Sequence, residues 1–167
     1  MNPGTRIYMA SPLGFSEAGR HFYDSMLVPF VRQLGFEVLD PWVLTDLRKI
    51  EAVQKLAYGT ERRDGWRALN AEIGANNRGA IDRADAVVAV LDGVDVDSGT
   101  ASEIGYAFGR GKPIVGYRGD FRLSADNEGG TVNIQVEYFI RASGGTIVER
   151  YEDLAGVLRA LRPQGGT

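Results

Sequence analysis

The chain contains no cysteine, which excludes disulfide frameworks, thiolate metal sites and cysteine nucleophiles. Histidine occurs once, at His21. A histidine metal cluster or a serine–histidine triad would rest on that one residue, which falls in a predicted amphipathic helix beside Phe22 and Tyr23 and reads as a half-exposed helix position. No window approaches the length of a membrane span, and residues 1–6 lack a basic segment followed by an apolar core, so a cytoplasmic protein is expected. Positive charge is not in excess either. The formal net charge of −3 offers no general attraction to nucleic acid or anionic lipid.

The 167 residues, 44% hydrophobic and 25% charged, suffice for one domain with a full core, and a single domain over 1–167 is expected. Arg6 to Ala10 reads as a first strand, ended by the turn signal Ser11 to Gly14. Ser16 can cap the helix that follows, Pro29 should kink it, and Gly35 is its natural stop. Phe36 to Leu39 reads as a second strand leading into Asp40-Pro41-Trp42. From Val43 to Arg63 the pattern is poor. Residues 48–58 suit a helix, Gly59 and Thr60 break it, and the stretch looks like an insertion or a lid.

A helix is predicted over 64–82 with interruptions at Gly74 and Gly79. Residues 85–91 form the strongest strand signal, a nearly continuous apolar run that suits a central strand covered on both faces. After an acidic turn come a helix over 100–109, a strand over 112–117, a polar mobile loop over 118–130 and a helix over 132–142. A fifth strand over 146–148, a closing helix over 152–161 and a frayed tail over 162–167 complete the expectation. Strands and helices alternate throughout, which argues for an α/β fold with a parallel sheet. In a flavodoxin-like strand order, the first and third strands are neighbours with their following helices on opposite faces. Residues 8–11 and 92–103 would then meet at a crevice beyond the strand ends.

The acidic turn admits several readings. Thr100 to Glu103 matches a capping box, in which Glu103 merely stabilises a helix start, and Asp97 matches a turn residue bonding its own backbone. A calcium loop from Asp92 to Glu103 fails because Val94 and Val96 stand where oxygen donors are needed. A phosphate cradle fails because no Gly-Lys-Ser/Thr follows the glycines, and the aspartates would repel phosphate. Read functionally, a carboxylate held ionised at a helix start, with the Tyr8 phenol across the crevice, can attack an anomeric carbon.

Ile7-Tyr8, Ala84-Asp85, the run Asp97 to Ala107 and Gly111-Lys112-Pro113, in that order, resemble the nucleoside 2-deoxyribosyltransferases over about 6–148. The resemblance implies a flavodoxin-like, doubly wound, five-stranded parallel sheet in three layers and transfer of a 2-deoxyribosyl group between nucleobases. It implies Glu103 as the nucleophile of a covalent deoxyribosyl intermediate, Tyr8 as the tyrosine that positions it, and Asp97 as the acid that binds sugar hydroxyls. Ser11, Trp42, Asn77 and Gly99 are the expected substrate-binding positions. Asn133 matches an asparagine lent to a neighbouring subunit's site, which implies a homo-oligomer, a dimer or a hexamer. No metal or cofactor is required.

Asn77 stands where relatives often carry a proton-donating aspartate, and an amide is no strong acid. Asp64 or Asp82 could substitute, or the base could leave with a hydrogen bond alone. Hydrolase relatives acting on 5′-monophosphates carry a serine at the place of Asp97. A carboxylate there would repel phosphate and accept from a free 5′-hydroxyl, so free deoxynucleosides and free nucleobases are the expected small-molecule partners. An N-glycosidic hydrolase and a non-catalytic nucleotide-sensing module remain the alternatives.

Overall fold

The computed structural model describes residues 4–161. The tail expected to fray, 162–167, lies outside the described residues. Five strands, β1 (Arg6–Ala10), β2 (Glu37–Leu39), β3 (Ala86–Val90), β4 (Ile114–Tyr117) and β5 (Ile147–Val148), form one sheet in the order β2-β1-β3-β4-β5. Every pairing is parallel, with Tyr8 of β1 opposite Leu39 on one side and Val87 on the other. This is the expected doubly wound arrangement. β3 is buried along its whole length, as its continuous apolar run requires.

Among the described residues seven α-helices flank the sheet: α1 (Glu17–Phe22), α2 (Val28–Gln33), α3 (Leu47–Lys55), α4 (Thr60–Arg83), α5 (Ser98–Gly109), α6 (Ile134–Ala142) and α7 (Leu154–Ala160). The period-two alternation of the strands sorts them into layers. Ile7, Met9, Val88 and Val90 pack with Tyr23, Val31, Leu154 and Leu158 on the face of α1, α2 and α7. Tyr8, Ala10, Val87 and Ala89 pack with Ile81, Ile104, Val136 and Ile140 on the face of α4, α5 and α6. The helices after β1 and β3 therefore lie on opposite faces, and a crevice opens between those two strand ends.

Several elements differ from their sequence reading. The break in the first helical region precedes Pro29: Tyr23–Leu27 is π-helical, and Pro29 sits in the first turn of α2. Proline has no N–H for the carbonyl four residues back, and the chain absorbs that loss by widening the turn before it. Gly35 stops the region as expected, at φ 84°. α4 runs unbroken for 24 residues from Thr60. At Gly74 a Cβ would meet nothing; each glycine costs only about 1 kcal/mol relative to alanine, too little to interrupt a helix held by its packing.

The poorly patterned region contains an ordered helix, α3, capped by Asp46 and tied to α4 by Lys49 Nζ to Glu72 Oε1 at 2.6 Å. Arg118, placed in a mobile loop by its polar neighbours, is 2% exposed. Its guanidinium donates to the carbonyls of Leu91, Gly93 and Arg122, fixing the start of the acidic turn.

Candidate active site

β1 aims Tyr8 at the layer that contains α5, and the phenol is fully buried. Its hydroxyl donates to Glu103 Oε1 at 2.6 Å. Asn77, on α4, donates through Nδ2 to the same oxygen at 3.3 Å. Oε1 is thus engaged by two donors from two elements, whereas Oε2 accepts no hydrogen bond among the described residues. Burial pushes the Glu103 carboxyl above its usual range, and the nearby Asp97 adds to that, while the donors Tyr8 and Asn77 oppose it. Burial and the Glu103 charge drive the Tyr8 hydroxyl far upward, so it stays a phenol and a donor.

The helix start does different work from that expected. Asp97, not Thr100, caps α5: its Oδ2 accepts from Thr100 N at 2.9 Å and from Thr100 Oγ1 at 3.3 Å. The capping-box reading of Glu103 is therefore overturned. Because α5 begins at Ser98, Glu103 lies in its second turn, beyond the reach of the strong terminal field. Tyr8 and Asn77, rather than the helix dipole, favour its charged form. Asp97 Oδ1 has no hydrogen-bond partner among the described residues. A Cβ on Gly99 would stand 3.0 Å from Asp97 Oδ2, so a larger residue there would press on the cap.

These groups border a cavity of about 410 Å³ lined by Ser11, Trp42, Asn77, Asp97, Gly99 and Glu103, together with Phe15, Thr45, Ile50, Asn70 and Ile73. Ser11 Oγ accepts from Leu13 N at 3.1 Å and shapes the loop after β1. Trp42 is set by its backbone: buried Asp40 accepts from Trp42 N at 3.0 Å and from the Tyr23 hydroxyl at 2.9 Å. Its ring meets Phe15 edge-on at 4.9 Å and lies against Gly14, where a Cβ would come within 2.2 Å of the indole. Among the described residues Trp42 Nε1 and Asn77 Oδ1 are both buried without a partner. Buried polar atoms are nearly always satisfied, so two orphans beside one cavity mark a place for ligand atoms.

Not every expected residue comes here. Asn133 caps α6, its Oδ1 accepting from Gln135 N and Val136 N, and it does not line this cavity within the chain. Asp64 pairs with Arg67 on exposed α4 surface. Asp82 accepts from the Tyr106 hydroxyl and from Arg110 Nε, and the Tyr106 hydrogen bond leads in holding its carboxyl below the usual range. Neither can stand in for an acid near Asn77. His21 is exposed on α1. Phe15, Thr45, Ile50, Asn70 and Ile73 were missed. Phe15 was within reach as the aromatic residue in the loop after β1, whereas Thr45 and Ile50 lay in the poorly patterned stretch, and the helix read over 64–82 did not show that its face with Asn70 and Ile73 borders the cavity.

Among the described residues no three histidine, aspartate or glutamate side chains gather as a metal site, and no helix is long and apolar enough to cross a membrane. The family model described as nucleoside 2-deoxyribosyltransferase matches residues 7–148. A solved conserved protein from Enterococcus faecalis is 27% identical, with a TM-score of 0.69 over 94% of this chain and 98% of that one. A 2-deoxyribosyltransferase from Bacillus psychrosaccharolyticus shares the fold at 21% identity, with a TM-score of 0.62 over 98% of this chain and 100% of that one. An uncharacterized protein of Schizosaccharomyces pombe is 28% identical over 121 residues, 70% of this chain; the chain spans about half the length of that curated relative.

Proposed function

This chain belongs to the nucleoside 2-deoxyribosyltransferase family, and from that premise we propose that it exchanges the nucleobase of free 2′-deoxynucleosides through a covalent deoxyribosyl ester on Glu103. The observation that carries the reading is the Glu103 carboxylate, with Oε1 held by Tyr8 and Asn77 and Oε2 without a protein partner on the wall of a cavity. Oε2 attacks C1′ of the sugar, the C1′–N bond breaks, and the base leaves. A second base then attacks C1′ from the vacated side, the ester opens, and Glu103 returns as a carboxylate. Two inversions give net retention.

Tyr8 positions the nucleophile. Asp97 accepts from a sugar hydroxyl through Oδ1, while its Oδ2 keeps the helix capped. The base lies against Trp42, within reach of Ser11 and Asn77. Among the described residues no lysine or arginine lines the cavity, and Asp97 would repel a 5′-phosphate, which supports free nucleosides over nucleotides. Asn133, absent from its own chain's site, is available to a neighbouring subunit's site in a homo-oligomer.

The test is direct: mix a deoxynucleoside with a different free base and follow the swapped nucleoside by chromatography. Exchange by the wild type and none by Glu103→Ala is expected. No exchange by the wild type, or full exchange by the variant, overturns the proposal. Free deoxyribose measured with and without acceptor base separates transfer from hydrolysis.

A further inference from the structure

The cavity beside Glu103 lacks an acid for the departing base. Among the described residues its titratable lining consists of Glu103 and Asp97 alone. Glu103 must be ionised to attack, and Asp97 spends Oδ2 accepting from Thr100 at the start of α5. Tyr8 keeps its proton and donates it in a hydrogen bond to Glu103 Oε1, while Asp64 and Asp82 are engaged elsewhere by Arg67 and by Tyr106 and Arg110. What the cavity offers instead is neutral. Trp42 Nε1 is a buried donor without an acceptor, and Asn77 Oδ1 is a buried acceptor without a donor. An indole or an amide can hydrogen-bond a base edge but cannot protonate it.

We propose, resting on the reaction assigned above, that the base leaves without a proton from the enzyme. As Glu103 Oε2 bonds to C1′, the C1′–N bond breaks with its electron pair going to the base nitrogen. The Trp42 N–H stabilises the resulting anion, Asn77 Oδ1 accepts from a base N–H, and the anion takes its proton from water. The preferred substrates are therefore deoxynucleosides whose free base has an acidic N–H, with 5-halouracils and uracil ahead of cytosine. Acceptor bases follow the same order, because an entering base must give its proton to water.

The experiment measures kcat/KM for base release from 5-fluoro-2′-deoxyuridine, 2′-deoxyuridine, thymidine and 2′-deoxycytidine across a pH range. The expected result is a fall of about three- to tenfold for each unit by which the free base becomes less acidic. The pH profile should rise as Glu103 ionises and show no descending limb before the base itself titrates. Asn77→Asp, checked for folding by circular dichroism, should flatten the series, help deoxycytidine most and introduce a descending limb. Trp42→Phe should steepen it. Turnover with equal kcat/KM across the wild-type series and a descending alkaline limb overturns this inference alone. Release from none of the four substrates overturns this inference; if purine deoxynucleosides also release no base, the transferase reading falls with it.

Discussion

The two ends of the sheet are made by the same strands, yet they treat their polar groups in opposite ways. At the amino-terminal edge, Asp85 accepts from the Arg6 amide at 2.8 Å and from its guanidinium. Lys112 Nζ closes the end of α4 by donating to the carbonyls of Asp82 at 3.1 Å and Ala84 at 2.7 Å. Asp85, Arg6 and Lys112 thus all have partners. At the carboxyl-terminal edge, Trp42 Nε1 and Asn77 Oδ1 have none, and Glu103 sits where burial opposes its charge. Two parts of the resembling sequence pattern thus separate by role: Asp85 and Gly111-Lys112-Pro113 hold the fold, and Tyr8, Asp97 and Glu103 surround the incomplete site. A polar group left unsatisfied by the fold is the one available to a ligand.

Breaking the incomplete end should have the largest effect. Glu103→Ala removes the proposed nucleophile, and base exchange should fall by about 10⁴-fold or more in kcat with the fold intact by circular dichroism. Residual exchange within tenfold of wild type would assign the attack elsewhere. Tyr8→Phe removes one hydrogen bond to a charged group, worth about 1.5–3 kcal/mol, so kcat should drop by about 10–150-fold. Since the Tyr8 hydroxyl lowers the Glu103 pKa, the ascending limb of the pH–rate profile should also move to higher pH. An unmoved limb would reduce Tyr8 to packing.

The complete end should show the reverse pattern. Lys112→Met leaves two carbonyls at the end of α4 without their donor, a loss of about 1 kcal/mol and a Tm lower by about 2–4 °C. Its kcat/KM should match wild type; a tenfold loss of activity at unchanged Tm would erase the distinction between the two ends. The subtlest effect returns to the site. The unfolded chain releases the Glu103 proton near the ordinary value of 4.5, and the folded chain only at higher pH. Between those values the unfolded state binds fewer protons, so stability falls as pH rises through the window. Glu103→Gln should therefore melt above wild type at neutral pH, with the difference closing below about pH 4.5. Parallel melting curves at all pH values would show that burial places no strain on Glu103.

Much of the sheet was legible because burial on two faces writes itself into composition: 85–91 could hardly be anything but a central strand, and the flavodoxin-like strand order brought residues 8–11 and 92–103 to one crevice. What was hidden depends on contacts distant in sequence. Nothing local distinguishes a helix-breaking Gly74 from one tolerated on an exposed face, or a loop Arg118 from one buried against three carbonyls. Glu103 and Asp97 were visible as acids beside a turn. Which of them caps the helix was not, because capping depends on where α5 begins, and Asp97 takes the cap three residues before the helix start read at Thr100. Asn77 was noticed for the acid it lacks; its hydrogen bond to Glu103 needed α4 to be in place. Asn133 lies outside its own chain's cavity, where it caps α6.

The most direct measurement is mass spectrometry of the protein quenched in acid during turnover of a deoxynucleoside without acceptor base, followed by peptide mapping. A mass increase of one deoxyribosyl group on the peptide bearing Glu103, discharged when a free base is added, is the predicted result. Exchange proceeding while that peptide stays unmodified, or an adduct on another residue, would contradict it.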